Sequence, residues 1–128
     1  MANQVTNIGG MLSAVTTTFA YTNATAVTIA TIPAGAQIVD INIDVTTAFD
    51  AGTTNTVTVG KTGTAAAFVA ATSVGSAGRA SVASTGVYSA WANTGTSDVS
   101  AIITYSQTGT AATAGAARVT IVYKYADV

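Results

Sequence analysis

Oxygen-bearing side chains recur at every second position of the stretch DINIDV, where Asp40, Asn42 and Asp44 alternate with Ile41, Ile43 and Val45. A helix–loop–helix calcium site begins in the same way, but it continues with glycine and closes on a bidentate glutamate at its twelfth position. Here Val45 follows Asp44, and the chain has no glutamate. On a β-strand, positions 40, 42 and 44 point the same way yet stand about 7 Å apart at each step. Such a row does not converge on one ion, so the spacing predicts a strand with an apolar side and an acidic side, and no metal site.

Other chemistry finds less support. Histidine and cysteine are absent, which removes the usual base of a serine or cysteine triad, thiolate and imidazole metal ligands, and any disulfide. Paired carboxylates for glycoside hydrolysis would have to come from Asp40, Asp44, Asp50, Asp98 and Asp127, which no spacing pattern links. The run Val74-Gly75-Ser76-Ala77-Gly78 lacks the lysine and the strand–turn–helix setting of a phosphate loop. Tyr88 and Trp91, three apart on an expected strand, fall on opposite faces and make no common stacking platform for a sugar. Tyr123 and Tyr125 share a face with Val119 and Ile121 and read as core. Asn23-Ala24-Thr25 fits the glycosylation acceptor pattern, as chance allows in a threonine-rich chain. The sequence therefore assigns no catalytic, cofactor-binding or metal residue, and an enzyme is not expected.

The elements that carry these residues follow from composition. Alanine, threonine and valine dominate, with one leucine, Leu12. Valine, isoleucine and threonine suit a pleated surface, and the strong helix formers other than alanine are nearly missing. An all-β fold is expected. Only 7% of residues are charged and the formal net charge is −1, against about 25% charged in an ordinary soluble domain. No basic face is offered to nucleic acid. So few charges near neutrality favour self-association, and part of this surface is expected to face other subunits. Polar residues interrupt the charge-free stretch before Asp40, which cannot read as a membrane span. The opening MANQVTNIGGML lacks the charged and apolar regions of a secretory signal.

Alternation with period two is clean in three places. In residues 37–45 it sets Val39, Ile41, Ile43 and Val45 against Asp40, Asn42 and Asp44. Residues 117–125 set Val119, Ile121, Tyr123 and Tyr125 against Arg118, Thr120 and Lys124, and residues 98–105 group Val99, Ala101, Ile103 and Tyr105. Shorter strands are expected at 26–32, 54–59, 66–70 and 86–91, with an early one within 12–21. Turn signals separate them at Pro33-Ala34-Gly35, Asp50-Ala51-Gly52, residues 60–63, Gly75 to Gly78, Asn93-Thr94-Gly95 and Gly109 to Gly115. Apart from the 66–70 strand, residues 60–84 and 107–116 read as small-residue loops, too long for tight hairpins. About eight strands without room for a crossover helix predict one antiparallel β-sandwich over residues 11–128, with a jelly roll the best choice among sandwiches. Residues 1–10 hold Asn3, Gln4, Asn7 and the pair Gly9-Gly10 without sustained alternation, and are expected to form an arm that orders against a neighbouring subunit.

Residues 32–69, IPAGAQIVDINIDVTTAFDAGTTNTVTVGKTGTAAAFV, carry a more specific signal. The "IPAGA" turn, the alternating strand, "TTAFDAGTT", then "VTVG" and a small-residue loop resemble small structural proteins of tailed bacteriophages. The likeness is nearest to capsid decoration (cement) proteins with a jelly-roll fold. It covers about a third of the chain and includes no catalytic motif. It implies a virion protein made in the host cytoplasm that binds the major capsid protein on the outside of an icosahedral shell, often as a homotrimer, without cofactor, nucleic acid or membrane. The other classes compatible with the residues are a tail, fibre or adhesion module that binds a host receptor, and a carbohydrate-binding β-sandwich.

Overall fold

The computed structural model describes residues 12–23, 25–80 and 96–124, the side chain of Ala80 excepted. These form eight strands: β1 Leu12–Ala20, β2 Val27–Ile32, β3 Gln37–Thr47, β4 Thr54–Lys61, β5 Thr64–Ser73, β6 Gly78–Ala80, β7 Val99–Thr108 and β8 Ala116–Lys124. There is no helix among the described residues. Two four-stranded sheets are ordered β1-β8-β3-β6 and β2-β7-β4-β5, with every neighbouring pair antiparallel. They face each other across a single apolar core, to which the first sheet gives Ile41, Ile43, Val119 and Ile121 and the second Ile32, Val57, Val59, Val69 and Ile103. The expected all-β sandwich is the fold observed.

Period-two alternation builds this core as the sequence implies. On β8, Val119, Ile121 and Tyr123 point inward, while Arg118 is exposed and Thr120 and Lys124 are half-buried. On β7, Ala101 and Ile103 are buried, and Val99 and Tyr105 pack against the same cluster. The β2–β3 turn closes with Ala36 N–H donating to Pro33 O at 3.1 Å. Gly35 there has φ of +77°, as the third residue of a type II turn requires.

Three expectations need correction. Val39 is not on the inner face with Ile41, Ile43 and Val45: it is 43% exposed, and Ile38 is buried instead. Against β8, Ile38 pairs with Tyr123 but Asp40 with Val122, so Val39 is an extra residue in the ladder. A β-bulge of this kind reverses the side-chain parity on either side of it. Next, residues 60–84 are not mainly loop. β5 runs over Thr64–Ser73, beyond the expected 66–70, and β6 adds Gly78–Ala80. Finally, Lys61 pairs with Thr64 across the tight Thr62-Gly63 hairpin, where Gly63 takes φ of +88°. The strand expected at 86–91 and the arm at 1–10 lie outside the described residues, as do Tyr88, Trp91, Tyr125 and Asp127.

Candidate functional site: the loop clamp and the outer sheet face

The β3–β4 loop, residues 48–53, and the β7–β8 loop, residues 109–115, meet at one end of the sandwich. Phe49 lies in the core, 5.7 Å from the Phe19 ring and 4.7 Å from the Tyr105 ring between centroids. Asp50, next in the chain, is turned out to solvent. Its Oδ1 accepts from the backbone N–H of Thr113 at 2.7 Å and of Ala114 at 3.0 Å, and its Oδ2 accepts from the Thr113 hydroxyl at 2.8 Å. Backbone bonds continue the seam, Gly52 N–H to Thr110 O at 2.8 Å and Thr53 N–H to Thr108 O at 2.9 Å. The Thr54 and Thr108 hydroxyls close it at 2.7 Å.

Behind the clamp, Asn55 Oδ1 accepts from Ala51 N–H at 3.0 Å and from the Tyr105 hydroxyl at 2.7 Å, while its Nδ2 donates to Ala51 O at 3.1 Å. Gln107 Oε1 accepts from Ala112 N–H at 2.8 Å. Two glycines make the closeness possible. A Cβ on Gly52 would lie 2.8 Å from the Thr110 nitrogen, and one on Gly115 2.5 Å from the Phe49 ring. The stretch TTAFDAGTT therefore has a structural meaning: an aromatic anchor, a carboxylate grip and a glycine that lets a second loop approach.

The chemistry of this end is that of a fastener. The Thr113 hydroxyl, then the Ala114 and Thr113 amides, hold the Asp50 carboxyl below the ordinary carboxylate value. Burial, then the negative charge of Asp50, raises the Tyr105 phenol above its ordinary value. Both shifts lead away from neutrality, opposite to the tuning of a general acid or base.

The polar residues of DINIDV, Asp40, Asn42 and Asp44, lie on the outer face of the first sheet, opposite the buried Ile41, Ile43 and Val45. Asp44 is paired with Arg118, Nη2 to Oδ2 at 2.6 Å, with both side chains about half exposed. Asp44 also stands opposite Arg79 on β6. Asp40 is exposed, and Asn42 keeps a covered Oδ1 without a hydrogen-bond partner among the described residues. Asp98 lies elsewhere, its Oδ1 accepting from Ala34 N–H at 3.0 Å and tying the β2–β3 turn to the start of β7. The Asn23 side chain accepts from Ala20 N–H at 2.6 Å and shapes the β1–β2 turn. The candidate carboxylates are thus distributed over different parts of the fold, and the described residues bring no three of them together.

Sequence reasoning missed the partners of Asp50. Thr113 sits in a run of small residues without pattern, and nothing in the sequence ties Asn55 to Tyr105. The one available signal was the glycine at each end of the β7–β8 loop. Among the described residues, one open depression of about 550 Å³ lies beside Phe19, Thr46 and Arg118, and another of about 560 Å³ beside Lys61, Ser97 and Asp98.

No family model matches the chain, and no curated protein does. Two solved structures contain chains of similar fold. One is the cyanophage Pam1 capsid asymmetric unit, with TM-score 0.68 and 20% identity over 98% of this chain and 92% of that one. The other is the acidic stable capsid structure of Helicobacter pylori bacteriophage KHP30, with TM-score 0.64 and 13% identity over 94% of this chain and 92% of that one. At such identities the likeness is one of fold.

Proposed function

We propose that this chain is a structural protein of a bacteriophage virion, a decoration (cement) protein that binds the major capsid protein on the outer surface of an icosahedral shell and stabilises it. The observation that carries this reading is a fold shared along nearly its whole length with chains of two phage capsid structures. The strand order β1-β8-β3-β6 over β2-β7-β4-β5 supports a jelly roll, eight strands in two sheets with Greek-key connections. The low charge supports an assembly role, and the outward tuning of Asp50 and Tyr105 supports a role without catalysis. On the outer face of the first sheet Arg79 and Arg118 are interleaved with Asp40 and Asp44, an arrangement suited to protein contacts and poorly suited to a phosphate backbone.

The mechanism is linkage. A shell filled with DNA is strained where its capsomers meet. A protein that bridges two shell subunits only in the mature, expanded geometry shifts the equilibrium toward that geometry by its own binding free energy. A homotrimer would multiply modest contacts, and residues 1–10 would order only where a neighbouring subunit offsets their loss of entropy. The test is to add the protein to particles that lack it. Binding in hundreds of copies, density on the outer surface by cryo-electron microscopy and a higher temperature of DNA release are expected. A few copies at the tail would make it a receptor-binding module, and density inside the shell would overturn decoration.

A further inference from the structure

Of the four edge strands among the described residues, β1 alone lacks every device that keeps a sheet edge from pairing. β6 has three residues and carries Arg79. β2 is bulged between Thr28 and Ala30 and is followed by Pro33. β5 breaks register with β4 twice. β1, LSAVTTTFA, has nine residues, no charge and no proline, and it pairs with β8 from Leu12↔Lys124 to Ala20↔Ala116 without a break. Natural edges are blunted by charge, proline, bulges or shortness, and one that is not is a template for another strand.

Two further observations lie on the same side of the molecule. Of the inward-facing residues of β1, Phe19 is buried but Ser13, Val15 and Thr17 are only half-buried, as is Val27 on β2. The Thr17 hydroxyl bridges the two edges by donating to Ile29 O at 3.2 Å, and the core beside it is only partly covered over Val15 and Val27. Among the described residues the exposed large hydrophobics, Leu12 at 59% and Val39 at 43%, lie toward one corner, on strands that flank β8 near Lys124.

Resting on the decoration reading, we infer that β1 is the docking edge: an extended, uncharged segment of the shell subunit adds to it as a further strand and closes the seam over Val15 and Val27. Main-chain hydrogen bonds would supply the affinity, and apolar side chains covering Leu12 and the Val15–Val27 seam the specificity. The available area argues for this occupant over a second copy of the chain. A nine-residue strand is about 30 Å long and a sheet about 10 Å thick, so one added strand covers roughly 300 Å² per partner. A stable pair needs roughly 800 Å² per partner. Alone the contact would not hold a free dimer; on a shell it would act together with others.

The experiment is hydrogen exchange on the full chain, free and bound to shells assembled without it, with co-sedimentation of the wild type and of Ala14→Lys. Ala14 is exposed on β1, so the lysine leaves the fold intact while charging the edge. Exchange of the outward-facing β1 amides is expected to slow by at least about tenfold on binding, and the affinity of Ala14→Lys to fall by about as much, one step of about 1.4 kcal/mol, with an unchanged melting temperature. If the wild type binds shells while β1 amides exchange equally fast, or if Ala14→Lys binds equally well, the docking edge is wrong and the decoration reading stands. Protection of the outward-facing β1 amides in the free protein, whether constant or rising with concentration, assigns the edge to the chain itself or to a second copy, and overturns the inference. If the wild type does not bind shells at all, the decoration reading fails and the inference with it.

Discussion

Asp50 holds Thr113 twice, accepting its backbone N–H at 2.7 Å and its hydroxyl at 2.8 Å across a sequence separation of 63 residues. This contact joins the two loops that close one end of the sandwich. It also makes that closure sensitive to acid, because only the ionised carboxylate accepts all the bonds offered to it.

The folded-state pKa of Asp50 lies below its ordinary value of 3.8. A depressed carboxyl contributes stability that is fully present above the unfolded pKa and is lost as pH falls through the folded one. The melting temperature should therefore drop below about pH 4, with a smaller drop for Asp50→Asn, which has no carboxylate to protonate. Thermal melts of both proteins at neutral and acidic pH check this. Parallel acid limbs would show that the grip does not matter to stability.

Gly115 and Gly63 both take positive φ, at +148° and +88°, but only Gly115 faces a neighbour. Gly63→Ala should cost about 1 kcal/mol, the backbone strain alone. Gly115→Ala adds a methyl group against the Phe49 ring and should cost roughly 1–3 kcal/mol more. Denaturant unfolding of the two variants measures the difference, and equal costs would mean that the loop yields.

The bulge at Val39 predicts a reversal between neighbours. Ile38→Ala should destabilise by about 2–5 kcal/mol, as a truncation in the core does. Val39→Ser should stay within about 0.5 kcal/mol, as an exposed substitution does. The opposite order in chemical denaturation would restore an unbroken alternation through residues 37–45.

Asp40, Asn42 and Asp44 spread along β3, and Asp44 is already engaged by Arg118. EDTA should leave the melting temperature unchanged, and a fall of several degrees reversed by calcium would reveal a site. Because the Arg118–Asp44 pair is exposed, a double-mutant cycle should return about 0.2–1 kcal/mol, shrinking with added salt.

The residues themselves determined what depends on neighbours a few positions apart. Alternation in 98–105 and 117–124 named the inward faces of β7 and β8, because a strand's side chains take opposite sides wherever the strand lies. The want of helix formers and the turn at Pro33-Ala34-Gly35 are equally local, and together they made the all-β sandwich legible. Only the tertiary structure decided the rest. Val39 turned outward because a bulge is defined by the register of the partner strand, and β8 begins many residues downstream. β5 stayed half hidden because a run of alanines shows no contrast between its two faces until a neighbour covers one. The purpose of Asp50 waited on Thr113, since a carboxylate and an amide that meet only after folding leave no periodic trace in the chain. The position of β1 at the end of its sheet, among the described residues, emerged last, because an edge exists only once the other strands have found their places.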